Sequence, residues 1–157
     1  MYLHNDRDLF EEVINETNAQ TGIVQSIIEK DYYVTMILNL LAKSNPDTVF
    51  KGGTALSKCF HLIDRFSEDI DITFSEHIGA SRRKKLKYDI LKPISEELDM
   101  PIENWSTIES DKDYNYYLFA YKPISDFPVA GISSGVKLET ALVSYSFPTV
   151  EKEVSSI

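Results

Sequence analysis

The chain has 157 residues, of which 43% are hydrophobic, 11% aromatic and 26% charged, the make-up of one folded domain with a real core rather than of a disordered, collagenous or coiled-coil chain. A formal charge of -9 argues against broad nucleic-acid binding, which depends on neutralising many phosphates with Lys and Arg. Apolar runs such as Met36 to Leu38 fall far short of the roughly 20 residues of a membrane span. The opening Met1 to Asp6 lacks the apolar stretch of a secretory signal, and Cys59 has no second cysteine to pair with, so a cytoplasmic protein without a membrane partner is expected. His4, His61 and His77 are scattered without zinc-site spacing.

Leu9, Phe10, Val13 and Ile14, after a cap at Asn5 or Asp6, follow helical spacing, and Thr21-Gly22 restarts the pattern. The stripe Ile23, Val24, Ile27, Ile28, Tyr32, Ile37, Leu38 and Leu41 then runs to the turn Ser44-Asn45-Pro46-Asp47, so two N-terminal helices are expected over about residues 6–43. Asp31 lies beside this stripe. It is read either as a surface acid at the stripe's edge or as a carboxylate that holds a cation or backbone amides at a nearby site.

Thr48 to Lys51 is β-prone, and Gly52-Gly53 breaks it before a helix-compatible Thr54 to Leu62. Ile70 to Phe74 alternates as a half-buried strand does. Ser81 to Leu98 reads as a third long helix with a kink at Pro93. Beyond Ile102 the pattern has period two, giving strands at Trp105 to Ile108, Tyr114 to Tyr121 and Val136 to Leu142. Val150 to Ile157 looks like the opening of a helix. The expected fold is α+β: a mixed or antiparallel sheet packed against helices on one side, in a single domain spanning residues 1–157 with its core at about 48–142.

Asp69 and Asp71 are two apart on a predicted strand, so their side chains leave one face with Cα atoms about 6.5–7 Å apart. Their oxygens suit a hard cation such as Mg²⁺, and two such ions would clamp the attacking and leaving oxygens of a nucleotidyl transfer. Taken alone, the pair is a weak signal, since acids alternating on the wet face of a strand are ordinary. The upstream turn adds to it: glycines at 52 and 53 let backbone approach a phosphate closely, Thr54 and Ser57 bring hydroxyls, and Lys51 and Lys58 bring positive charge. Two further features have bland and functional readings. Arg82 to Lys87 is a solvated helix face or a patch for an RNA acceptor or a triphosphate. Tyr117, Phe119 and Tyr121 share a strand face that is either core or a platform for base stacking.

Lys51-Gly52-Gly53-Thr54-Ala55-Leu56-Ser57-Lys58, followed by Arg65-Phe66-Ser67-Glu68-Asp69-Ile70-Asp71-Ile72, resembles the nucleotidyltransferase toxins of the AbiEii/AbiGii type, in the DNA polymerase β-like superfamily. Glu29 to Thr35 and Val136 to Thr140 resemble an upstream helix and a later acid-bearing strand of the same family, so the likeness runs from about residue 20 to the end. The resemblance implies a minimal nucleotidyltransferase fold in which Glu139 joins Asp69 and Asp71 as the third catalytic acid and metal ligand. Lys51, Gly52, Gly53, Thr54, Ser57 and Lys58 would then bind the nucleotide. It further implies a two-Mg²⁺ site and transfer of a nucleoside monophosphate from an NTP to an acceptor hydroxyl, with tRNA as one acceptor. The protein would be the toxin of a toxin–antitoxin or abortive-infection phage-defence system, with a cognate antitoxin as partner. By the same comparison the family's helical C-terminal part is absent from these residues. Two other readings fit the residues: a non-catalytic nucleotide-binding or interaction module, and an antibiotic-type nucleotidyltransferase with a small substrate.

Overall fold

Asp6 opens the first helix, α1 (Arg7–Thr21), by accepting the Leu9 N–H at 3.1 Å, and Gly22 closes it in the left-handed conformation at φ +72°. Phe10 and Ile14, one turn apart, are its buried residues. The second helix, α2 (Gln25–Ser44), buries Tyr33, Val34, Ile37, Leu38 and Leu41, and also three consecutive charged residues, Glu29, Lys30 and Asp31. Successive helical residues point about 100° apart, so burial of all three means that this turn is covered on every side. The computed structural model describes residues 1–45, 47–63, 66–110, 112–124, 134–142 and 148–156. Pro46 of the expected turn and Arg65 of the family-like motif lie outside these.

Four strands form one mixed sheet: β1 (Thr48–Lys51), β2 (Ile70–Phe74), β3 (Tyr114–Ala120) and β4 (Gly135–Ala141), in the spatial order β1-β2-β4-β3. β2 pairs with β1 antiparallel and with β4 parallel, and β4 pairs with β3 antiparallel. Strict alternation puts Ile70, Ile72, Phe74, Tyr117, Phe119, Val136 and Leu138 on one face. All are buried with the apolar side chains of α1 and α2 in one core. The expected α+β sheet with helices is thus observed.

A short helix, α3 (Gly52–Lys58), begins two residues before the expected position and stops at Lys58 instead of continuing to Leu62. The long helix expected over 81–98 is a composite: α4 (Ala80–Lys85), a π-helical turn (Leu86–Leu91) and α5 (Lys92–Glu97). Pro93 explains the wide turn, because a proline has no N–H to offer the carbonyl four residues earlier. The ladder shifts register, and Lys92 N–H bonds Lys87 O, five residues back.

Two expected elements are absent. Trp105 to Ile108 is not a strand but a 3-10 turn (Trp105–Thr107), whose carbonyls turn inward: the buried Lys87 amine bonds the Trp105 oxygen at 3.2 Å and the Ile108 oxygen at 2.9 Å. Residues 148–156 form no helix. Instead Ser155 lies against the end of α3, its N–H and hydroxyl both bonded to the Lys58 carbonyl at 3.2 Å. No helix among the described residues is long and apolar enough to cross a membrane.

Candidate active site on the open sheet face

The face of the sheet opposite the core carries the charged residues. Register aligns one row across all four strands: Lys51 of β1 is opposite Asp71 of β2, Asp71 is opposite Glu139 of β4, and Glu139 is opposite Tyr116 of β3. Asp69, just before β2, and Lys137, two residues before Glu139, take the same face by alternation. Strand order therefore gathers Asp69, Asp71 and Glu139, as the sequence suggested. The parallel pairing of β2 with β4 brings together residues far apart in the chain.

Gly52 has φ +78°, and a Cβ built on it would lie 2.1 Å from Oδ2 of Asp71. The glycine thus serves the carboxylate directly. Its bare Cα is the floor on which the Asp71 side chain rests, and no L-side chain fits without moving that acid. Loss of water raises the Asp71 pKa from its ordinary value. Lys51 opposes the shift, while the charges of Glu139 and Asp69 reinforce it.

Lys137 neutralises part of this negative charge. Its amine is paired with Glu139 and lies 3.8 Å from Asp69 Oδ2, and the Glu139 bond holds the amine protonated above its usual range. Tyr114, on β3 two residues from Tyr116, completes the cluster near Glu139. Its phenol is pushed up by loss of water and then by the Glu139 charge.

Among the described residues, no group of three or more His, Cys, Asp or Glu side chains is gathered closely enough to hold a metal ion as it stands. The Lys137 ammonium is a physical reason, since it sits between two of the three carboxylates as their counter-cation. The donor chemistry nonetheless fits a hard divalent ion: carboxylate oxygens on one face, already arranged around a positive charge.

The remaining nucleotide-binding candidates divide into two places. Lys51 and Gly52 belong to the acid face, and Gly53 follows in the first turn of α3. Thr54 is buried, and its hydroxyl bonds the Asp69 carbonyl and lies 2.8 Å from the Ser67 hydroxyl, so it fastens α3 to the start of β2. Lys58 is buried too. Its amine is 2.6 Å from Asp31 Oδ1, 3.0 Å from the Thr35 hydroxyl and 3.2 Å from the Ser155 carbonyl. Asp31 therefore does hold a cation, that of Lys58. Ser57 and Lys58 line a cavity of about 560 Å³ together with Asp31, His61, Phe66 and Ser156.

Burial decides the two features left with alternative readings. Tyr117, Phe119 and Tyr121 are 2%, 0% and 9% exposed, and the Tyr121 ring stacks on Tyr33 at 4.3 Å, so they are core and not a base platform. The exposed rings on β3 are Tyr114 and Tyr116, one residue out of phase. The basic run divides: Arg82, Lys84 and Lys85 lie on an exposed helix face, while Arg83 and Lys87 are buried. Arg83 is buried against Asp113 at 2.7 Å, Arg82 pairs with Glu76 at 2.7 Å, and Lys87 caps the 3-10 turn, its amine 4.6 Å from the Trp105 ring. Lys137 and Tyr114 join the site without being among the expected site residues, although alternation puts Lys137 in phase with Glu139 and Tyr114 in phase with Tyr116, the residue opposite it.

The model of a family described as nucleotidyl transferase AbiEii toxin, type IV toxin–antitoxin system, matches residues 38–157. The chain belongs to this AbiEii family. No curated protein and no solved structure matches it. The matched AbiEii stretch contains Gly52, Asp69, Asp71, Lys137 and Glu139, whereas α1 and the turn Glu29 to Asp31 precede it. Membership makes the protein a nucleotidyltransferase toxin by family and implies a nucleotide substrate and an antitoxin partner.

Proposed function

We propose that this AbiEii-family chain transfers a nucleoside monophosphate from an NTP to an acceptor hydroxyl, with divalent-metal dependence, as the toxin of its pair. The observation that carries the reading is the row Lys51, Asp71 and Glu139 across three strands, with the Gly52 backbone seated beneath Asp71. Asp69, Asp71 and Glu139 would hold two Mg²⁺ ions, which supply charge neutralisation at the oxygens of the reacting phosphate. In the transfer, the acceptor oxygen bonds to the α-phosphorus, the bond to the β-phosphate breaks, and pyrophosphate leaves. Glu139 would take the hydroxyl proton or serve as a ligand of the second ion, and the Lys137 ammonium, freed from its ion pair when Glu139 is neutralised, would face the negative charge of the phosphates. Lys51 adds positive charge next to Asp71 for the incoming phosphates. A tRNA end fits the acceptor role, and a protein or small-molecule hydroxyl would make the same demands on these residues.

The test is thermal unfolding of the full chain with each NTP, with and without Mg²⁺, beside Asp71→Asn. A ligand that binds only the folded state at a hundredfold its dissociation constant adds about 2.7 kcal/mol of stability. A Mg²⁺-dependent shift with one or more NTPs, lost in Asp71→Asn, followed by transfer of label from that NTP to RNA, is the expected result. No shift with any nucleotide would refute the reading and leave an interaction module.

A further inference from the structure

Lys30 is 1% exposed, the most deeply buried charge among the described residues, and its amine lies 2.5 Å from Oε2 of Glu68, the residue before Asp69. Removing an ammonium from water costs several kcal/mol, and a well-packed apolar side chain of the same volume commonly gives equal or greater stability. Stability therefore does not explain a lysine here; position does. The next residue, Asp31, holds Lys58 at 2.6 Å at the end of α3, and Thr54 of the same helix bonds the Asp69 carbonyl. One turn of α2 thus references both the helix after the glycine turn and the backbone that carries the first acid.

Asp69 needs such a reference. Its side chain is 46% exposed, and the Lys137 amine is 3.8 Å away, so packing does little to fix it. An ion ligand with free rotamers and a loose backbone gives up that freedom on binding, at a cost in affinity. We propose that Lys30, acting through Glu68, is a positioning residue that presets the Asp69 carboxylate for a divalent cation. This rests on the metal-dependent reading above and adds to it a role for the first half of α2, where Lys30 precedes the stretch that matches the family.

The test measures Mn²⁺ binding to the full chain by calorimetry or paramagnetic resonance, without nucleotide, so that turnover plays no part. Glu68→Gln is the first variant, because the amide oxygen can still accept from the Lys30 amine while the negative charge is removed, and a melting curve run beside it checks the fold. Lys30→Met removes the other partner, and Lys30→Arg is the conservative rescue. Changes of this kind behind a metal ligand weaken binding by about 10- to 100-fold. Glu68→Gln and Lys30→Met are each expected to lose about tenfold in Mn²⁺ affinity, and Lys30→Arg to recover most of it. Wild-type affinity in Glu68→Gln with an unchanged circular dichroism spectrum would overturn the inference while leaving the metal reading intact. A wild-type chain that binds no Mn²⁺ would overturn the metal reading itself, and this inference with it.

Discussion

Gly52 carries the sharpest consequence of any single residue. Its left-handed φ of +78° already disfavours an L-residue by roughly 1–2 kcal/mol, and the added Cβ would meet Asp71 Oδ2 at 2.1 Å. Gly52→Ala is expected to lower stability by about that amount and also to abolish the Mg²⁺-dependent nucleotide shift, because Asp71 must move; calorimetric unfolding with and without NTP measures both. Lys137→Met separates the lysine's two effects. Without the competing ammonium, divalent binding in the absence of nucleotide should tighten by roughly tenfold, the size of an ordinary coupling between touching charges, whereas transfer falls because Glu139 loses its hydrogen-bond partner. Unchanged binding in a metal titration would show that the amine does not compete for the site. The acid positions were legible in the sequence because alternation fixes side-chain direction. The role of Gly52 was only half legible, for a glycine announces that something approaches closely and not that the visitor is Asp71.

At the scale of the element, α2 departs most from its sequence pattern. Its apolar stripe predicts one buried face, yet Glu29, Lys30 and Asp31 point three ways and are all buried, because β2's approach, α3 and the segment after β3 each close over one of them. No local pattern foretells this, since the partners lie tens of residues away. Glu29 accepts the Ile124 N–H at 3.0 Å, and loss of water lifts its pKa from 4.5 to about 7, against the smaller opposing effects of that bond and of Arg7. A raised acid binds its proton more tightly folded than unfolded, so its contribution is full below about pH 4.5 and is lost as pH rises through 7. Glu29→Gln keeps the acceptor and removes the titration. Its stability should exceed wild type by about 2–3 kcal/mol at pH 8 and converge toward acid pH, as denaturant melts across the range would show. Identical pH profiles would exclude Glu29 as the source. Strand β3 sets the opposite lesson: period two puts Tyr117 and Phe119 on one face, and burial decides for core over a stacking platform. Phe119→Ala should cost about 3–5 kcal/mol and Tyr116→Ala within about 0.5 kcal/mol, since the first ring is fully buried and the second 40% exposed. Equal losses in urea unfolding would contradict the assignment of faces.

For the whole molecule, the fold class was readable from the run of helices followed by strands, but the order β1-β2-β4-β3 was not, because adjacency of β2 and β4 is a long-range choice among several sheets with the same pattern. That choice builds the site, and it also sets a schedule. β4 is made last yet lies between β2 and β3, so as the chain leaves the ribosome β3 waits without its neighbour and Asp71 without Glu139. The carboxylates first meet when the stretch through Ala141 has emerged and slipped between the two waiting strands. A nascent chain of this topology has only part of its acid cluster until β4 has emerged, and a cell that halts translation before β4 releases a fragment lacking Glu139.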